Sequence, residues 1–573
     1  MRIAVLAICF FLPSLMAAQP LLVDGLFEDW NARPVLAADA AGDDGGSGVD
    51  FTALKITHDD RFLYIRFNTT AEVILQEDNT LRLYIDTDFD ASTGQQLQGL
   101  GAELQWNFAG RSGTLRIGGS TRSIDHADIG LYPAPTYSST DFEIALRRDV
   151  TFGGQPLYTA DSVRVALAVI EAGGDRIPDA GGAAYGTGGE GLPVPPETLI
   201  GESPREAVRL LTWNTLQDGL IDEQRQPAFA RVLKAVRPDI MCFQECWDAS
   251  AGQVLLFVRS VIDPPPGRSW RTLKLDQGNV LITHLDIEDS WVLQNNYRET
   301  ASLLATQAGK KMLLFNCHFR CCSADLERQQ EADGVIRFIR DAKSPGGEIT
   351  LDEGTPIVLT GDLNLVGDRR QIETLLTGDI ADNTLYGPDE KPDWDGSDMA
   401  LCVSRHPRSR IAHTWQNPRS SYAPSILDYI LYTGSSMSVT HDMVINTADM
   451  SAAQLQQYAL ESDDCATASD HLPRFADLAW DDEVAVDPVA VPEQLAIDAL
   501  WPQPARDRLH LRLGSAHRPV AITVTDLLGR TVLQHPTLSV KQTELDITVL
   551  RPGTYFLQVS DGQHTTARMF VVE

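Results

Sequence analysis

The stretch Thr355-Pro-Ile-Val-Leu-Thr-Gly-Asp-Leu-Asn364 joins an apolar run to a carboxylate and a carboxamide that lie two residues apart. The apolar part is typical of a buried strand, whereas burying either polar group without a partner is costly. Side chains alternate between the faces of a strand, so Asp362 and Asn364 point the same way at its end. Cations and phosphate groups find oxygen ligands and amide donors at such sheet edges. The stretch therefore predicts a ligand site at the edge of a packed sheet.

Length, composition and charge set the class of protein. The 573 residues suffice for several domains, and the 43% hydrophobic and 22% charged composition is typical of globular chains. A formal net charge of -32 argues against tight nonspecific binding to polyphosphates, which depends on neutralising phosphates with Lys and Arg. The same charge suits a protein that holds divalent cations outside the cell.

The beginning of the chain has the pattern of a secretory signal peptide. Met1-Arg2 precedes the apolar run from Ile3 to Met16, and the small residues Ala17-Ala18 follow it. This predicts a signal peptide over residues 1–18. No later run approaches the roughly 18 apolar residues of a membrane span, so we expect an exported protein with no transmembrane segment.

Hydrophobic periodicity divides the remainder into three regions and two linkers. Residues 19–188 alternate apolar and polar positions, which predicts an antiparallel β-sandwich, and a linker over residues 189–207 follows. In residues 208–480 buried strands alternate with helical stretches, which indicates a layered α/β domain. After a linker over residues 481–495, short strands in residues 496–573 predict a small C-terminal β-sandwich.

Polar residues recur at the ends of apolar strands in the central region. Because strand ends of a packed sheet meet in space, we expect these side chains to converge on one cleft although they are far apart in sequence. They are Asn214, Glu245, His318, Asp362, Asn364, Asp428, Asp470 and His471.

The order of these motifs resembles the endonuclease/exonuclease/phosphatase superfamily, which has the deoxyribonuclease I-like fold. The resemblance covers residues 209–478. It rests on the ordered motifs LLTWN, PDIMCFQE, LLFNCHF with Arg328-Gln-Gln downstream, PIVLTGDLN, His413-Thr414-Trp415 followed by ILDYILY, and ASDH. It implies a four-layered α/β sandwich that hydrolyses phosphate esters with Mg²⁺, or with Mn²⁺ or Ca²⁺. It also implies roles by position: Glu245, Asn214 and Asp470 at the metal, Asp362 and Asn364 at the nucleophile and phosphate, His318 and His471 as catalytic histidines, and Asp428 paired to His471.

The chemistry of phosphate esters supports these roles independently. Attack on a negatively charged phosphodiester needs a cation to withdraw charge, an acceptor for the proton of water and a donor for the leaving oxygen. A carboxylate beside an imidazole holds it in one tautomer and raises its basicity, as Asp428 would do for His471. Two candidates for the general base, His471 and Asp362, stay open. The chain departs from the superfamily at Thr283-His284, where an Arg or Tyr often contacts phosphate.

Two segments of the N-terminal region resemble another family. Val23-Asp-Gly-Leu-Phe-Glu-Asp-Trp30 and Tyr84-Ile-Asp-Thr-Asp-Phe-Asp-Ala-Ser-Thr-Gly94 resemble family-nine carbohydrate-binding modules, which implies a carbohydrate partner. Sugar binding needs exposed aromatic residues; Trp30 and Trp106 are the candidates, and each could equally be a core residue. In the second segment Asp86, Asp88 and Asp90 alternate before a turn, a spacing that suits Ca²⁺ or shapes a hairpin.

The last region resembles the C-terminal sorting domain of the type IX secretion system. The motifs are Trp501-Pro-Gln-Pro, Val524-Thr-Asp-Leu-Leu-Gly-Arg and the terminal Phe570-Val-Val. The resemblance implies that the secretion machinery is a partner and that the protein reaches the cell surface or the medium.

Seven cysteines follow the signal segment, which is an odd number. Export gives access to oxidising surroundings in which disulfides form, and we consider the pairings Cys246 with Cys321 or Cys322, and Cys402 with Cys465.

Three hypotheses for function follow. The first is a secreted, metal-dependent phosphoesterase that cleaves phosphodiester bonds, with nucleic acid as the leading substrate. The second is an enzyme of the same fold that acts on phospholipid headgroups or sugar phosphates. The third is a surface binding protein whose central domain is inactive. The complete set of acidic residues and histidines argues against the third hypothesis.

Overall fold

The structure is a computed structural model that describes residues 20–171, 173–204, 206–295, 297–481, 497–502, 504–513, 520–526, 530–538, 542–560 and 565–573. The expected signal peptide and nearly all of the second linker lie outside the described residues. The chain forms two compact units, Met1–Asp481 and Asp482–Glu573. The N-terminal and central regions therefore share one unit.

The described residues of the N-terminal region form two large antiparallel sheets, two small two-stranded sheets and one short α-helix. One sheet has the order β1-β2-β3-β11-β10, and the other has the order β15-β14-β4-β7-β8-β9 with β16 also paired to β14. Apolar side chains of both sheets, such as Phe67 and Trp106, belong to one hydrophobic core. The elements are β1 Ala37–Ala38, β2 Phe51–His58, β3 Phe62–Val73, β4 Leu81–Asp86, β5 Gln95–Leu97, β6 Leu100–Ala102, β7 Leu104–Asn107, β8 Ser112–Ile117, β9 Ser120–Ile124, α1 His126–Ile129, β10 Leu131–Ala134, β11 Ser139–Arg147, β12 Thr151–Phe152, β13 Gln155–Pro156, β14 Ser162–Val169, β15 Arg176–Ile177 and β16 Ala183–Gly186.

The central region alternates strands with helices. Its elements are β17 Ala207–Asn214, α2 Gln226–Val236, β18 Ile240–Gln244, α3 Ala251–Val261, β19 Arg271–Leu273, β20 Val280–Thr283, β21 Asp286–Val292, β22 Glu299–Ala305, β23 Lys311–His318, α4 Asp325–Lys343, β24 Ile357–Asp362, α5 Arg370–Thr377, α6 Asn383–Tyr386, β25 Ala400–Leu401, β26 Asp428–Tyr432, β27 Met437–Val444, α7 Ala452–Tyr458, α8 Asp464–Ala468 and β28 Arg474–Trp480.

These strands form two six-stranded sheets, with the orders β19-β20-β18-β17-β28-β27 and β21-β22-β23-β24-β26-β25. The sheets face each other across a core that includes Leu210 and Leu314. Helices α2 and α3 cover the outside of the first sheet, and α4 and α5 cover the second. The central region thus has four layers, in the order helices, sheet, sheet, helices.

Both faces of the inner strands are covered, which explains their nearly continuous apolar sequences. Every residue of β18 and β24 is buried. Helix α2 is amphipathic instead, with Phe229, Val232 and Leu233 on its buried face. The alternation of two sequence patterns therefore follows from which elements lie inside the stack and which lie at its surface.

The N-terminal region is joined to the central region by backbone pairing and side-chain contacts. Val23 N donates to the carbonyl of Arg410 at 2.7 Å, and Ala412 N donates back to Val23 O at 3.2 Å. Arg61 forms an ion pair with Asp449 at 2.7 Å. These contacts cross between regions that are hundreds of residues apart in sequence, so residues 20–481 pack as one body.

The second unit contains a three-stranded sheet, β29-β30-β33, and a four-stranded sheet, β32-β31-β34-β35. Both sheets contribute to one small core that includes Leu511 and Leu557. Its strands are β29 Ile497–Trp501, β30 Arg508–Leu513, β31 Val520–Asp526, β32 Thr531–Leu538, β33 Gln542–Asp546, β34 Gly553–Ser560 and β35 Thr565–Val572.

The predicted multidomain organisation, with antiparallel N-terminal sheets and an α/β sandwich in the centre, is confirmed. The seven cysteines among the described residues are all free, so neither suggested disulfide is present. Among the same residues, every helix is too short or too polar to cross a lipid bilayer.

Candidate active site

Three candidate residues lie side by side on three adjacent strands of the second sheet. His318 ends β23 and is the register partner of Asp362, which ends the parallel strand β24. Asp362 is in turn the register partner of Asp428, which begins the antiparallel strand β26. Register partners share a face of the sheet, so the fold places these side chains side by side.

The carboxylate of Asp362 lies between two imidazoles. Its Oδ2 is 3.5 Å from His318 Nε2 and 3.7 Å from His471 Nε2. The same oxygen accepts a hydrogen bond of 2.9 Å from the Asn214 amide. Only 2% of Asp362 is exposed, and burial raises the pKa of its carboxyl group, against the opposing effect of His471. Asp362 is therefore a buried group that can exchange protons.

His471 is fixed in one orientation by a fully buried carboxylate. Its Nδ1 is 2.8 Å from Asp428 Oδ2, which leaves Nε2 directed towards Asp362. Burial lowers the pKa of His471, but the carboxylates of Asp428 and Asp362 outweigh burial and raise it to about 10. The backbone amide of Asp428 is itself held by the hydroxyl of Thr414 at 2.9 Å. The expected pairing of His471 with Asp428 is thus present.

His318 has a different environment. Burial is the main reason why its pKa lies well below the usual range, and the nearby Arg298 lowers it further. Its ring lies against Trp247, with 5.5 Å between ring centroids. Its Nδ1 is buried and has no hydrogen-bond partner. Burial therefore favours the neutral form of His318, whereas the two neighbouring carboxylates favour the charged form of His471.

The carboxylates of Glu245 and Asp470 form the acidic side of the site. Both are half-buried and line the same cavity as Asp362. Glu245 Oε1 accepts from the Asn214 amide at 3.2 Å, and Oε2 accepts from the backbone of Gln217 at 2.9 Å. Asp470 Oδ2 accepts from the indole of Trp415 at 3.1 Å, while its Oδ1 is buried without a partner.

Backbone geometry at two of these positions is unusual for residues other than glycine. Glu245 has a φ of 58° and Asn364 has a φ of 48°. Asn tolerates this left-handed region, but for Glu it is costly, by about 1–3 kcal/mol. Gly361, just before Asp362, has a φ of 135°, and a side chain there would overlap the carbonyl oxygen of Cys317. The backbone is therefore strained at the points where it leaves the strands and enters the loops of the site.

Six of the eight candidate residues line a cavity of about 640 Å³, and the other two, Asn214 and Asp428, contact that lining through hydrogen bonds. Apart from Trp415, the sequence did not single out the cationic and aromatic members of the lining. Arg298 and Arg320 are its cationic members, and the Arg298 guanidinium carbon lies 5.3 Å from the Trp247 ring centroid. Trp415 and Tyr422 are further aromatic members. Arg298, Arg320 and Tyr422 lie outside the sequence motifs, so no sequence pattern marked them.

Part of the cavity lining belongs to the N-terminal region. Ile74, Gln76 and Glu77, from the connection between β3 and β4, line it together with Thr136. The sequence gives no sign of this contribution, because the contact joins positions about 300 residues apart and depends on the packing of two regions.

One feature noted in the sequence, Thr283-His284, lies away from this cavity. The imidazole of His284, at the departure from the superfamily pattern, is 2.7 Å from Asp239 and is not part of the cavity lining. Arg298, the residue directly before β22, supplies a cationic side chain to the cavity instead.

The N-terminal candidates form a different group from the one expected. Oxygens of Asp86, Asp88 and Glu103 lie within 4.8 Å of one another. The Asp90 carboxylate is outside this group and accepts from the backbone and hydroxyl of Ser92, at 2.9 and 2.7 Å. Sequence reasoning missed Glu103, which lies between two short strands.

The two tryptophans considered for carbohydrate recognition belong to hydrophobic cores. Trp30 is fully buried and Trp106 is 2% exposed. Neither ring is available for stacking on a sugar. Carbohydrate binding and the resemblance of this region to a carbohydrate-binding module therefore stay predictions, without a candidate aromatic surface among the residues named.

Comparisons with families agree with two of the three resemblances. Residues 211–471 match the Endonuclease/Exonuclease/phosphatase family, and residues 499–573 match the Secretion system C-terminal sorting domain. These matches confirm the predicted central domain and the predicted type IX sorting domain. The second match indicates export by type IX secretion to the cell surface or the medium. No curated protein gives a significant match to the chain.

Several solved structures resemble the chain at low identity. The human Nocturnin catalytic domain is 16% identical, with 49% of this chain and 96% of that chain covered and a TM-score of 0.30. An endonuclease/exonuclease/phosphatase from Beutenbergia cavernae is 16% identical, with coverages of 64% and 100% and a TM-score of 0.29. Sphingomyelinase C from Streptomyces griseocarneus is 15% identical, with coverages of 47% and 99% and a TM-score of 0.28.

Proposed function

We propose that the central region is a divalent-metal-dependent phosphoesterase that hydrolyses phosphodiester bonds, with nucleic acids or nucleotides as leading substrates. One observation carries the proposal. The Asp362 carboxylate lies between two imidazoles, one of them fixed by Asp428, in a cavity that also contains Glu245 and Asp470. Water attack on a phosphate ester needs this combination of proton acceptor, proton donor and acidic cation ligands.

The acidic side of the cavity fits a hard divalent cation. Glu245 and Asp470 offer carboxylate oxygens, and Asp470 Oδ1 is a buried acceptor that lacks a partner. A cation would satisfy this oxygen, and Mg²⁺ and Mn²⁺ prefer such ligands. Bound there, it would supply positive charge against the phosphate oxygens. The amide of Asn214 bridges Glu245 and Asp362, so Asn214 would hold the cation ligand and the proton acceptor in register.

The other candidate residues act on water and phosphate. Asp362, which lines the cavity, orients the attacking water and accepts its proton, because its Oδ2 lies between both imidazole Nε2 atoms. His471, held by Asp428, presents Nε2–H as a charged donor to a phosphate oxygen. His318 is a neutral donor beside it, and Arg298 places a guanidinium at the same wall. Asn364, whose amide donates to Phe319 O at 3.2 Å, positions the turn after Asp362.

The test is a substrate panel with the purified full chain. Mg²⁺, Mn²⁺ and Ca²⁺ are each combined with DNA, RNA, sphingomyelin and sugar phosphates, and Asp362→Ala serves as the inactive control. We expect cation-dependent cleavage of at least one phosphodiester, and we expect a chelator to abolish that cleavage. Equal rates for the wild-type protein and Asp362→Ala would refute the assignment, and exclusive action on monoesters would correct the reaction class.

We also propose that Asp86, Asp88 and Glu103 bind Ca²⁺. Asp86 is fully buried, and its Oδ1 has no hydrogen-bond partner. Its Oδ2 pairs with Arg164 at 2.5 Å, while Thr93 donates to both Asp88 and Glu103. An orphaned buried carboxylate oxygen beside two further acidic groups supports a cation site.

A further inference from the structure

We infer that residues 74–77 of the N-terminal region form a specificity-determining wall of the active-site cavity, which restricts the substrate to a compact phosphate ester of about mononucleotide size. This inference rests on the proposed function and names the substrate class for the same site. The segment is called the wall segment below.

The wall segment is held against the loop between Trp415 and Asp428. The side chain of Gln76 accepts from the backbone amide of Ala423 at 2.8 Å, and Tyr422 donates its hydroxyl to Glu77 at 2.5 Å. Arg111 connects the two sides, since it donates to the Gln76 carbonyl at 2.9 Å and lies 4.2 Å from the Tyr422 ring centroid. Polar contacts therefore close this side of the cavity.

Apolar packing reinforces the closure. Ala423 is 1% exposed and belongs to the hydrophobic core of the N-terminal sheets, although it is a residue of the central region. Near it, the imidazole of His126 is 3.0 Å from Ser420 O. A loop of the central region is thus inserted into the N-terminal core. The wall segment cannot move away from the cavity unless this packing is broken.

A second contact ties the N-terminal region to the catalytic turn. The hydroxyl of Thr136 donates to the carbonyls of Leu365 and Ile426, at 2.8 and 3.2 Å. Ser138 N donates to Gly367 O at 2.8 Å. Leu365 directly follows Asn364, so the N-terminal region braces the turn that carries Asp362 and Asn364 as well as closing the cavity.

The volume and lining of the cavity define what fits. At about 640 Å³ it lies within the roughly 300–1,000 Å³ typical of small-molecule sites. A duplex needs an open, cationic surface along many phosphates, whereas this chain has a net charge of -32. The anionic part of a small ester would face Arg298 and Arg320, and its organic part would contact Trp415 and Tyr422. We therefore expect compact esters to be better substrates than polymers.

The experiment compares bis(4-nitrophenyl) phosphate and thymidine 5′-(4-nitrophenyl phosphate) with supercoiled plasmid DNA and sphingomyelin vesicles, at saturating Mg²⁺ or Mn²⁺. For the wild-type protein, we expect kcat/KM for a small diester to exceed that for plasmid cleavage by about 100-fold or more. In Gln76→Ala/Glu77→Ala, the wall loses its contacts to Ala423 and Tyr422. We expect this ratio to fall at least tenfold, mainly through a higher KM for the small esters.

A matched control removes one acid and one amide elsewhere in the N-terminal region. Asp60→Ala/Gln155→Ala alters exposed residues outside the cavity lining and should leave the ratio unchanged. The inference about the wall segment would be overturned if the wild-type protein cleaved plasmid or vesicles as efficiently as the small esters. It would also be overturned if the ratio were unchanged in Gln76→Ala/Glu77→Ala. Absence of hydrolysis with every substrate and cation would overturn the proposed function instead.

A second, independent observation concerns two adjacent thiols at the cavity. Cys321 and Cys322 are both exposed, line the cavity and have their Sγ atoms 2.7 Å apart. We propose that they form a disulfide between neighbouring residues in the exported protein. The buried Arg328 donates to the carbonyls of Arg320 and Cys322, at 2.9 and 2.8 Å, and holds the turn around them.

The reaction is a thiol–disulfide exchange. The thiolate of one cysteine attacks a protein disulfide of an envelope oxidoreductase, and the second cysteine then displaces that mixed disulfide. Two S–H bonds break and one S–S bond forms, while the oxidoreductase disulfide is reduced to two thiols. Adjacent Cα atoms are about 3.8 Å apart, closer than the usual 4.4–6.8 Å of disulfides, so the bond should be strained and readily reduced.

Peptide mapping tests this proposal. The exported protein is alkylated with iodoacetamide under denaturing conditions without reductant and is then cleaved with trypsin. Cleavage after Arg320 and Arg328 isolates both thiols in one peptide with no other cysteine. We expect this peptide unalkylated and about 2 Da below the mass of its dithiol form, while the Cys402 and Cys465 peptides carry the label. Alkylation of both Cys321 and Cys322, or their linkage to another cysteine, would overturn the proposal.

Discussion

The N-terminal and central regions both bury carboxylates at the ends of strands, but the partners of those carboxylates differ. Asp86 ends β4 and is paired with Arg164, with hydroxyl and acidic groups nearby. Asp362 ends β24 and lies between two imidazoles. Burial raises the pKa of both carboxyl groups. The comparison teaches that the strand end supplies a desolvated carboxylate, while its neighbours decide whether it holds a cation or moves a proton.

The largest effect should come from the carboxylate between the imidazoles. We expect Asp362→Ala to lower kcat/KM by about 10³–10⁴-fold, because it removes the proton acceptor for water. Glu103→Gln should leave kcat/KM within about twofold, since Glu103 lies outside the central cavity. Steady-state kinetics on a small diester, with circular dichroism to verify folding, makes the comparison. A similar loss in both variants would mean that the two carboxylate groups are not functionally distinct.

The next largest effect concerns the His471–Asp428 pair. We expect His471→Ala to reduce kcat by about 10²–10⁴-fold and Asp428→Asn by a smaller factor, because Asp428 only orients and charges the imidazole. The double variant should be no slower than His471→Ala, since the two residues act as one unit. Additive losses on a logarithmic scale would show that Asp428 has a separate role.

A moderate effect on stability should identify the cation group of the N-terminal region. At a free Ca²⁺ concentration near 100 Kd, binding should stabilise the fold by about 2.7 kcal/mol and raise Tm by several degrees. Glu103→Gln should abolish this rise in scanning calorimetry. Asp90→Asn is the matched control, because its carboxylate is bonded to Ser92 and lies outside the group. If Asp90→Asn alone lost the rise in Tm with Ca²⁺, the cation would be bound by Asp86, Asp88 and Asp90, as expected from the sequence.

The smallest effect is a pH dependence within the N-terminal sheets. Burial raises the pKa of Asp24 to about 7, beside the buried Glu143. A carboxyl whose pKa is higher in the folded state binds its proton more tightly there, so folding stability declines as pH rises from about 4 to about 7. We expect Asp24→Asn to reduce this decline by about 1 kcal/mol in denaturant unfolding, allowing for partial exposure. Parallel pH profiles for the two proteins would contradict the assignment.

Sequence reasoning worked best where one local pattern was enough. Continuous apolar runs predicted the buried strands of the central sheets, and a polar residue directly after such a run predicted a position at the sheet edge. Asn214, His318 and Asp362 were found in this way, and the structure brings them together with Glu245, Asp428 and His471 around one cavity.

It worked less well for residues whose position depends on a neighbouring chain segment. Arg298 precedes β22, and Glu103 lies between two short strands, so neither follows a long apolar run. The sequence analysis named Asp90 and missed Glu103, because alternate spacing along one strand is visible in sequence, whereas the approach of another strand is not. Both tryptophans named for carbohydrate contact lie in cores, since an aromatic residue in an alternating strand has the same pattern on either face.

The sequence by itself predicted three regions, the acidic and imidazole residues of the central site, and the sorting domain over the last region, which the family comparison confirms. These properties depend on residue type and on periodicities of a few residues. Only the tertiary structure decided that residues 74–77 close the cavity and that Glu103 completes the acidic group. Only it placed Arg298 and the adjacent thiols at the same cavity. Such contacts join distant segments through packing and register, which are properties of the folded chain and not of any local pattern.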